Sequence, residues 1–239
     1  MLGTIQNREA FLGDIAKSLG RDPKTNVKLP NWKYNPQEEV LKGATPDELL
    51  EVFKVSGTGI NCSVTVTNKE QLAGVVYDRI KEFGGGPIVT WKDQRYEELF
   101  GLGKLFKEQL PQDNHDVFEW DPALGRENIE KANKANIGIT ISEITLADSG
   151  TVAVFSEKNK GRTVSFLPVN SIVLIPKSTL VPRMTQAAKF LREKVKKGET
   201  LPSCINYITG PSKSSDIEMK LVVGVHGPVK VSYIVLEDL

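Results

Sequence analysis

The sequence predicts an α/β protein built on a mostly parallel β-sheet with helices on both faces, whose second half adds a β-hairpin or a small mixed sheet. Two observations predict this class. From Thr45 to Ile141, short β-rich segments alternate with amphipathic helical segments, the pattern of parallel strands joined by crossover helices. From residue 137 onwards, β-rich runs follow one another with little room for helices between them, which indicates the added strands.

The chain is predicted to begin with an amphipathic helix and an extended arm. Phe11, Ile15 and Leu19 are spaced to share one face of a helix, and Gly20 is a typical helix end. Between residues 21 and 43, three prolines disfavour helix in the residues that precede them. We therefore expect residues 1–43 to form an N-terminal helix and arm, and residues 44–239 to form the α/β domain.

The α/β domain is predicted to open with a helix at Pro46. Thr45 stands in the N-cap position, and Glu48 stands where its capping-box partner belongs. The segments that follow are predicted as strand 62–67, helix 69–83, strand 87–91, a helical stretch interrupted near residues 101 and 103, strand 117–120, helix 122–133 and strand 137–141. This order is typical of βαβ units.

The second half is predicted to hold the added strands. Residues 151–155, 163–167 and 171–175 are short β-rich runs, and residues 157–161 have the composition of a hairpin turn between the first two. The remaining predictions are a helix at 184–197, a buried strand that begins at Ile205 and leads into a polar loop, and a last strand at 229–236.

Composition and charge exclude several classes of protein. Thirty-one basic residues against thirty acidic ones leave a net charge of +1, so electrostatics predicts neither nucleic acid nor a membrane as a partner. The longest apolar runs are too short to span a bilayer, and the first residues lack a signal peptide, which predicts a cytoplasmic protein. With two cysteines and two histidines, we expect no iron–sulfur cluster and no structural zinc site, and the sequence identifies no other cofactor.

The first candidate site lies in residues 138–151. Glu143, Asp148 and the turn Ser149-Gly150-Thr151 stand between two predicted strands. Carboxylates beside a glycine turn can hold a hydroxyl, an amine, a metal ion or a proton. The alternative is structural, because Asp148 and Ser149 can also satisfy backbone donors in a tight turn.

The second candidate site is the polar loop that follows the Ile205 strand. Its predicted binding residues are Thr209, Gly210, Pro211, Ser212, Lys213, Ser215 and, further along the chain, His226. The lysine and the backbone N–H groups suit an anion, whereas Asp216 and Glu218 oppose one. A ligand with both an acid group and hydroxyls fits this mixture, as does a carboxylate used in catalysis. Structurally, Asp216 can instead cap a turn and His226 can bond to backbone.

The two candidate sites are predicted to meet in one concavity. Ligands of open α/β sheets bind beyond the carboxyl ends of the strands, where we expect the loop after the Ile205 strand. Within this concavity Asp216, Glu218 and Glu143 are the candidate catalytic carboxylates, and no metal site is predicted.

Several motifs of the second half resemble the lactate utilization protein C family. They are Ala-Asp-Ser-Gly-Thr at 147–151, Ser-Phe-Leu-Pro at 165–168, Ile-Thr-Gly-Pro-Ser at 208–212, Ser-Asp-Ile-Glu at 215–218 and Gly-Val-His-Gly-Pro at 224–228. The resemblance implies a LUD-type domain with a three-layer, Rossmann-like sheet similar to sugar-phosphate isomerases and CoA-transferases. It also implies a role in oxidising L-lactate to pyruvate beside two partners that carry iron–sulfur clusters, lactate utilization proteins A and B.

Three functions are compatible with these observations. The leading interpretation is the cluster-free subunit of a lactate-oxidising assembly, which binds a small carboxylate substrate or a partner protein. The second is a stand-alone enzyme that acts on a sugar phosphate, a folate or an acyl-CoA. The third is a non-catalytic scaffold that assembles through its aromatic arm, where Trp32 and Tyr34 lie.

Overall fold

The computed structural model describes residues 6–24, 26–28, 30–216 and 219–239. The chain divides into two compact units, Met1–Pro36 and Gln37–Leu239. The predicted domain boundary after residue 43 stays a prediction, although the division between the units falls nearby. Among the described residues, no helix combines the length and the apolar composition needed to cross a membrane.

The helices and strands are numbered in chain order. The α-helices are α1 Arg8–Ser18, α2 Pro46–Gly59, α3 Lys69–Glu82, α4 Arg95–Glu98, α5 Leu110–Gln112, α6 Glu127–Lys134 and α7 Met184–Lys196. The strands are β1 Cys62–Thr67, β2 Ile88–Thr90, β3 Val117–Glu119, β4 Ile137–Ile141, β5 Ile144–Leu146, β6 Thr151–Ser156, β7 Asn170–Pro176, β8 Leu180–Val181, β9 Cys204–Ile208, β10 Lys213–Ser214, β11 Val222–Val223 and β12 Lys230–Leu236. A π-helical segment, Leu105–Gln109, precedes α5, and short 3₁₀ turns lie at Pro36–Glu38, Pro122–Leu124, Arg162–Ser165 and Lys177–Thr179.

The N-terminal unit contains the predicted helix. Helix α1 confirms the expected segment, and the rest of the described arm contains no strand. Phe11 of this helix and Leu19, directly after it, are 65% and 60% exposed, whereas Ala16 is buried.

A parallel sheet forms the centre of the second unit. Within the described residues its strand order is β1-β12-β7-β4-β2-β3, and every neighbouring pair is parallel. Side chains alternate between its two faces: Tyr233 and Val235 of β12 pack with Phe53 of α2, whereas Ile234 packs with Val76 of α3. Helices therefore cover both faces, and the predicted three-layer, Rossmann-like α/β fold is confirmed.

A smaller mixed sheet confirms the predicted addition in the second half. Its strand order is β8-β5-β6-β9, and β6 pairs antiparallel with both β5 and β9. Val152 of β6 belongs to the core beneath the central sheet, whereas Ala153 faces the other way and packs with Ala187 of α7. The small sheet thus lies between the central sheet and α7.

Two predictions about the second half are wrong. Residues 163–167, expected as a strand, contain the 3₁₀ turn Arg162–Ser165. This turn lies directly on β4, where a Cβ atom at Gly138 would overlap the carbonyl oxygen of Val164. Residues 171–175, expected among the added strands, form most of β7 in the central sheet. All of β7 is buried, as is typical of a parallel strand covered on both faces.

The strand order creates one point at which the chain departs in opposite directions. After β2 the chain leads outward to β3, at the edge of the sheet, whereas after the adjacent β4 it leads to β7 on the other side. In open α/β sheets a crevice forms at such a topological switch point, beyond the carboxyl ends of the strands.

Candidate functional site

A cleft of about 840 Å³ lies at the switch point, beyond the carboxyl ends of β2 and β3. Its volume is within the usual range for ligand-binding pockets. Residues that line it include Thr90, Asp93, Arg95, Tyr96, Phe106, Glu119, Glu157 and Lys160. We call it the carboxyl-edge cleft.

The cleft contains a guanidinium group held between two carboxylates. Arg95 Nη2 donates to Asp93 Oδ2 at 2.6 Å and to Glu143 Oε1 at 2.6 Å, and its other nitrogens bond the same two carboxylates. Asp93 follows β2 and Glu143 follows β4, so each of two neighbouring strands contributes one of the carboxylates that flank Arg95. The side chain of Asp93 is only 7% exposed, and that of Arg95 is 30% exposed. Bidentate pairs of this kind fix the guanidinium plane.

Lys160 adds a second cation with looser contacts. Its Nζ atom lies 3.4 Å from Glu143 Oε1, 3.5 Å from Asp93 Oδ2 and 3.5 Å from Glu157 Oε1. All three distances exceed the usual 2.7–3.2 Å of an N–H···O hydrogen bond. The ammonium group therefore makes one long hydrogen bond, to Glu143, and is otherwise held by charge, so its donors can turn to a closer acceptor in the cleft.

The ion pairs shift the acid–base properties of the cleft. Burial alone would raise the pKa of the Asp93 carboxyl, but hydrogen bonds and charge from Arg95, with the charge of Lys160, lower that pKa overall. Burial likewise opposes the charged form of Arg95, yet its bonds to Asp93 and Glu143 raise the pKa of the guanidinium. Asp93 and Arg95 are thus charged at neutral pH. Tyr96 is fully buried, which raises the pKa of its phenol, and its hydroxyl donates to Ile139 O at 2.7 Å.

Two tryptophans fix the turn that carries Lys160. Trp91 Nε1 donates to Gly161 O at 2.9 Å, and Trp120 Nε1 donates to Lys158 O at 3.2 Å. A Cβ atom at residue 161 would overlap the indole of Trp120, so only glycine fits there. Because the tryptophans follow β2 and β3, the turn is held over the carboxyl ends of the central strands.

Of the predicted site residues, Glu143 belongs to this cluster. Its partners Asp93, Arg95 and Lys160 were missed by the sequence analysis, which interpreted residues 157–161 only as a turn. The available signal was the polar run Lys-Asp-Gln-Arg at 92–95, directly after a buried strand. Among the described residues, no group of three or more His, Cys, Asp or Glu side chains is placed to hold a metal ion.

The other predicted residues lie in a second region. Thr151 Oγ1 lies 2.8 Å from Thr209 Oγ1 and 2.9 Å from Ser149 Oγ, so the two predicted segments do meet through their hydroxyls. Asp148 does not turn toward this contact but pairs with Arg183 at 3.3 Å.

Glycine and lysine in this region close the end of α2. Lys213 Nζ donates to the carbonyl oxygen of Ile60 at 3.0 Å, a contact typical of a helix C-terminus. A Cβ atom at Gly210 would lie 2.9 Å from the same oxygen, and one at Gly150 would lie 3.0 Å from the backbone of Gly57. Lys213, Gly150 and Gly210 therefore have structural roles here.

The rest of the predicted loop is arranged by its own hydrogen bonds. Ser214 Oγ donates to Asp216 Oδ2 at 2.8 Å, and the backbone N–H groups of Ser212 and His226 also bond within the loop. Ser212 Oγ accepts the bond from His226, and Ser215 is exposed, as are the side chains of Asp216 and His226. The prediction for Glu218 falls outside the described residues.

The prediction that all these residues converge at the carboxyl edge is wrong. Strand β9 belongs to the small sheet, and the loop after it leads into the amino end of β12 and contacts Ile60, two residues before β1. Glu143 follows the carboxyl end of β4, which has five residues. At about 3.3 Å per residue, the two edges are roughly 16 Å apart. Asp216 and Glu143 therefore cannot share one ligand-binding concavity.

Comparison with known proteins agrees with the fold. The LUD domain family matches residues 50–236. Lactate utilization protein C of Geobacillus sp. (strain WCH70) is 52% identical over 237 residues, which cover 99% of this chain and 98% of the relative. Lactate utilization protein C of Bacillus subtilis (strain 168) is 50% identical with the same coverage. The crystal structure of a DUF162 family protein from Deinococcus radiodurans superposes with a TM-score of 0.55, covering 81% of this chain and 99% of that one at 14% identity, a likeness of fold alone. The chain therefore belongs to the LUD domain family and, within it, to the lactate utilization protein C family.

Proposed function

We propose that this chain takes part in lactate utilization as the cluster-free subunit of an assembly that oxidises L-lactate to pyruvate, beside the iron–sulfur proteins lactate utilization A and B. One observation carries the proposal: relatives named lactate utilization protein C are about half identical to this chain over nearly the full length of both. The match extends over nearly all of both chains, so it includes the loops, which often carry function, as well as the central sheet.

The cysteine content supports the division of labour in this proposal. The whole chain has two cysteines, Cys62 and Cys204, whereas cysteine-ligated iron–sulfur clusters require four ligands. Burial raises the pKa of the Cys62 thiol to about 11, which makes it a poor metal ligand or nucleophile at neutral pH. In the proposed assembly the electrons of lactate therefore pass to the partner proteins.

In this proposal the carboxyl-edge cleft binds a small carboxylate through Lys160. The long contacts of its ammonium group leave donors for a ligand, and the rigid Arg95 lies in the same wall. Both carboxylate oxygens of Glu143 accept bonds from Arg95, so Glu143 is proposed as a positioning residue. The catalytic role predicted for Asp216 stays a separate prediction, because that side chain is on the other edge of the sheet.

Growth and reconstitution test the proposal. Deleting the gene should abolish growth on L-lactate as sole carbon source, and mixing the purified chain with the two iron–sulfur proteins should restore lactate oxidation. Lys160→Gln should weaken that activity, whereas Lys196→Gln, which removes an equally charged but exposed side chain outside the cleft lining, should not. Normal growth of the deletion strain on L-lactate would disprove the proposal.

The volume of the cleft favours one alternative, a stand-alone enzyme. At about 840 Å³ the cleft is large for a three-carbon acid and suits a bigger ligand such as a sugar phosphate, a folate or an acyl-CoA. A thermal-shift screen of the isolated chain distinguishes the two functions. A ligand at 100 times its Kd should add about 2.7 kcal/mol of stability, and one of these larger compounds doing so would favour the alternative.

A further inference from the structure

A second, smaller cavity of about 240 Å³ lies at the amino end of the central sheet. It is enclosed by the start of β1, the end of α3 and the loop that leads into β12. Residues that line it include Ser63, Arg79, Phe83, Val223, Val229 and Lys230. We call it the amino-edge pocket. It is on the opposite edge of the sheet from the carboxyl-edge cleft.

The pocket contains two buried donors that lack acceptors. Among the described residues, neither Ser63 Oγ nor Arg79 Nε has a hydrogen-bond partner, although both atoms are shielded from solvent. The other nitrogens of Arg79 are occupied, since Nη1 donates to Glu82 at 2.6 Å and Nη2 donates to Thr65 Oγ1 at 3.2 Å. Because unpaired buried polar groups are costly, we expect an acceptor from outside the chain here, either a water molecule or a ligand.

The charge around the pocket favours an anionic acceptor. The Arg79 guanidinium carbon and the Lys230 ammonium each lie 5.9 Å from the centre of the Phe83 ring, so two cations flank one wall. Glu82 is the acid of this lining, and it already pairs with Arg79. The last carbonyl groups of α3 do not serve as acceptors for the two unpaired donors, because the backbone N–H groups of Phe83 and Gly84 bond to them.

The opposite wall is apolar. Pro211, Val223 and Val229 contribute it, and they come from the polar loop after β9 and from the segment just before β12. The volume is below the 300–1,000 Å³ of pockets that hold drug-sized ligands. A ligand of a few heavy atoms with one acid group and a short apolar body matches this combination.

We propose that the amino-edge pocket binds a short-chain monocarboxylate, with the carboxylate accepting from Ser63 Oγ and Arg79 Nε and lying near Lys230. The apolar body of the acid lies against Val223 and Val229. This site is separate from the cleft and does not depend on the function proposed for the cleft.

Protein-observed NMR of the full chain tests the proposal, with L-lactate, pyruvate and inorganic phosphate as probes. The amide signals of Asn61, Ser63, Phe83 and Lys230 report on the pocket, and those of Lys92 and Asn159 report on the cleft. We expect lactate and pyruvate to shift the pocket signals with a single Kd near the millimolar range. Phosphate, which has no apolar body, should bind more weakly.

Two variants and a matched control decide the assignment. Ser63→Ala should weaken lactate binding at the pocket about tenfold, the effect of one hydrogen bond to a charged group. Without ligand this variant should be as stable as the parent, since the removed hydroxyl has no partner. Lys230→Gln should weaken binding up to about fivefold. Lys81→Gln is the control. It removes an exposed charge from α3, the helix that carries Arg79, but lies outside the pocket lining, so it should leave the affinity unchanged.

Any of several results would overturn the proposal. They are pocket signals that do not move at ~10 mM acid, an unchanged affinity in Ser63→Ala, phosphate binding as tight as lactate, or a lower melting temperature for Ser63→Ala that reveals an internal partner. Shifts confined to the cleft signals would overturn this inference and leave the function proposed for the cleft intact.

Discussion

Replacing Arg95 by methionine should destabilise the protein and reverse the pH dependence contributed by Asp93. The variant keeps a long side chain but leaves the buried Asp93 and the partly buried Glu143 without their main partner. Removing one partner of a buried ion pair costs about 3–5 kcal/mol. Because Arg95 is 30% exposed and Lys160 remains 3.5 Å from Asp93, we expect a loss of about 2–3 kcal/mol in the free energy of unfolding.

The pH dependence follows from the pKa of Asp93. In the parent its folded pKa is lowered, so its contribution is fully present above the unfolded pKa of about 4 and is lost as the pH falls through the folded pKa. Without Arg95, burial becomes the dominant effect and raises the folded pKa above 4. The variant should then gain stability relative to the parent as the pH falls from 7 to 5.

Urea denaturation at pH 7 and pH 5 measures both effects. Lys107→Met is the matched control, because it breaks an ion pair whose side chains are 67% and 64% exposed and should change stability by less than about 0.5 kcal/mol. Adding Asp93→Asn to Arg95→Met should recover part of the loss. A loss at pH 7 no larger than that of the control, or a difference from the parent that does not narrow at pH 5, would refute the reasoning.

Three further predictions concern the turn, the helix cap and the thiols. Gly161→Ala should cost about 1–3 kcal/mol and shift tryptophan fluorescence, because its methyl group overlaps Trp120; an unchanged melting temperature would contradict this. Thr45→Ala should lower the free energy of unfolding in urea by about 1 kcal/mol through loss of the capping box, whereas Thr45→Ser should retain most of it. A thiol reagent at pH 7.5, about 3.5 pH units below the pKa of about 11 of Cys62, should modify Cys204 in the native protein and both cysteines after denaturation; rapid native reaction of Cys62 would be inconsistent with its burial.

Local sequence patterns predicted many elements of the fold. The capping box of Thr45 and Glu48 is present with both of its hydrogen bonds, and β1 has the predicted bounds. These elements depend on contacts within a few residues, which a single sequence displays directly. Strand β8 was missed because it has two residues, too few for a period to emerge, and β5 was missed because only two residues separate it from β4, with no glycine or proline between them.

Elements that depend on distant partners were harder to predict. A buried apolar run such as β7 has the same pattern in a central sheet as in an added hairpin, so its location could not be derived from its residues. The same limit applies to the candidate site. Glu143 was identified because it follows a strand, but Arg95 is 48 residues away in sequence. The fold, through the adjacency of β2 and β4, brings the two together.

The two sides of the cleft come from different parts of the fold. Asp93 and Arg95 follow a central strand, whereas Lys160 is carried by a turn that leaves the small sheet and is anchored to two indole rings. Insertions or deletions at the tip of that turn alter no strand register, since the residues that follow it form a 3₁₀ turn before the chain returns to the central sheet. A change in the length of this turn can therefore alter the size of the cleft without shifting the central strands, provided that the bonds from the two indole rings are kept.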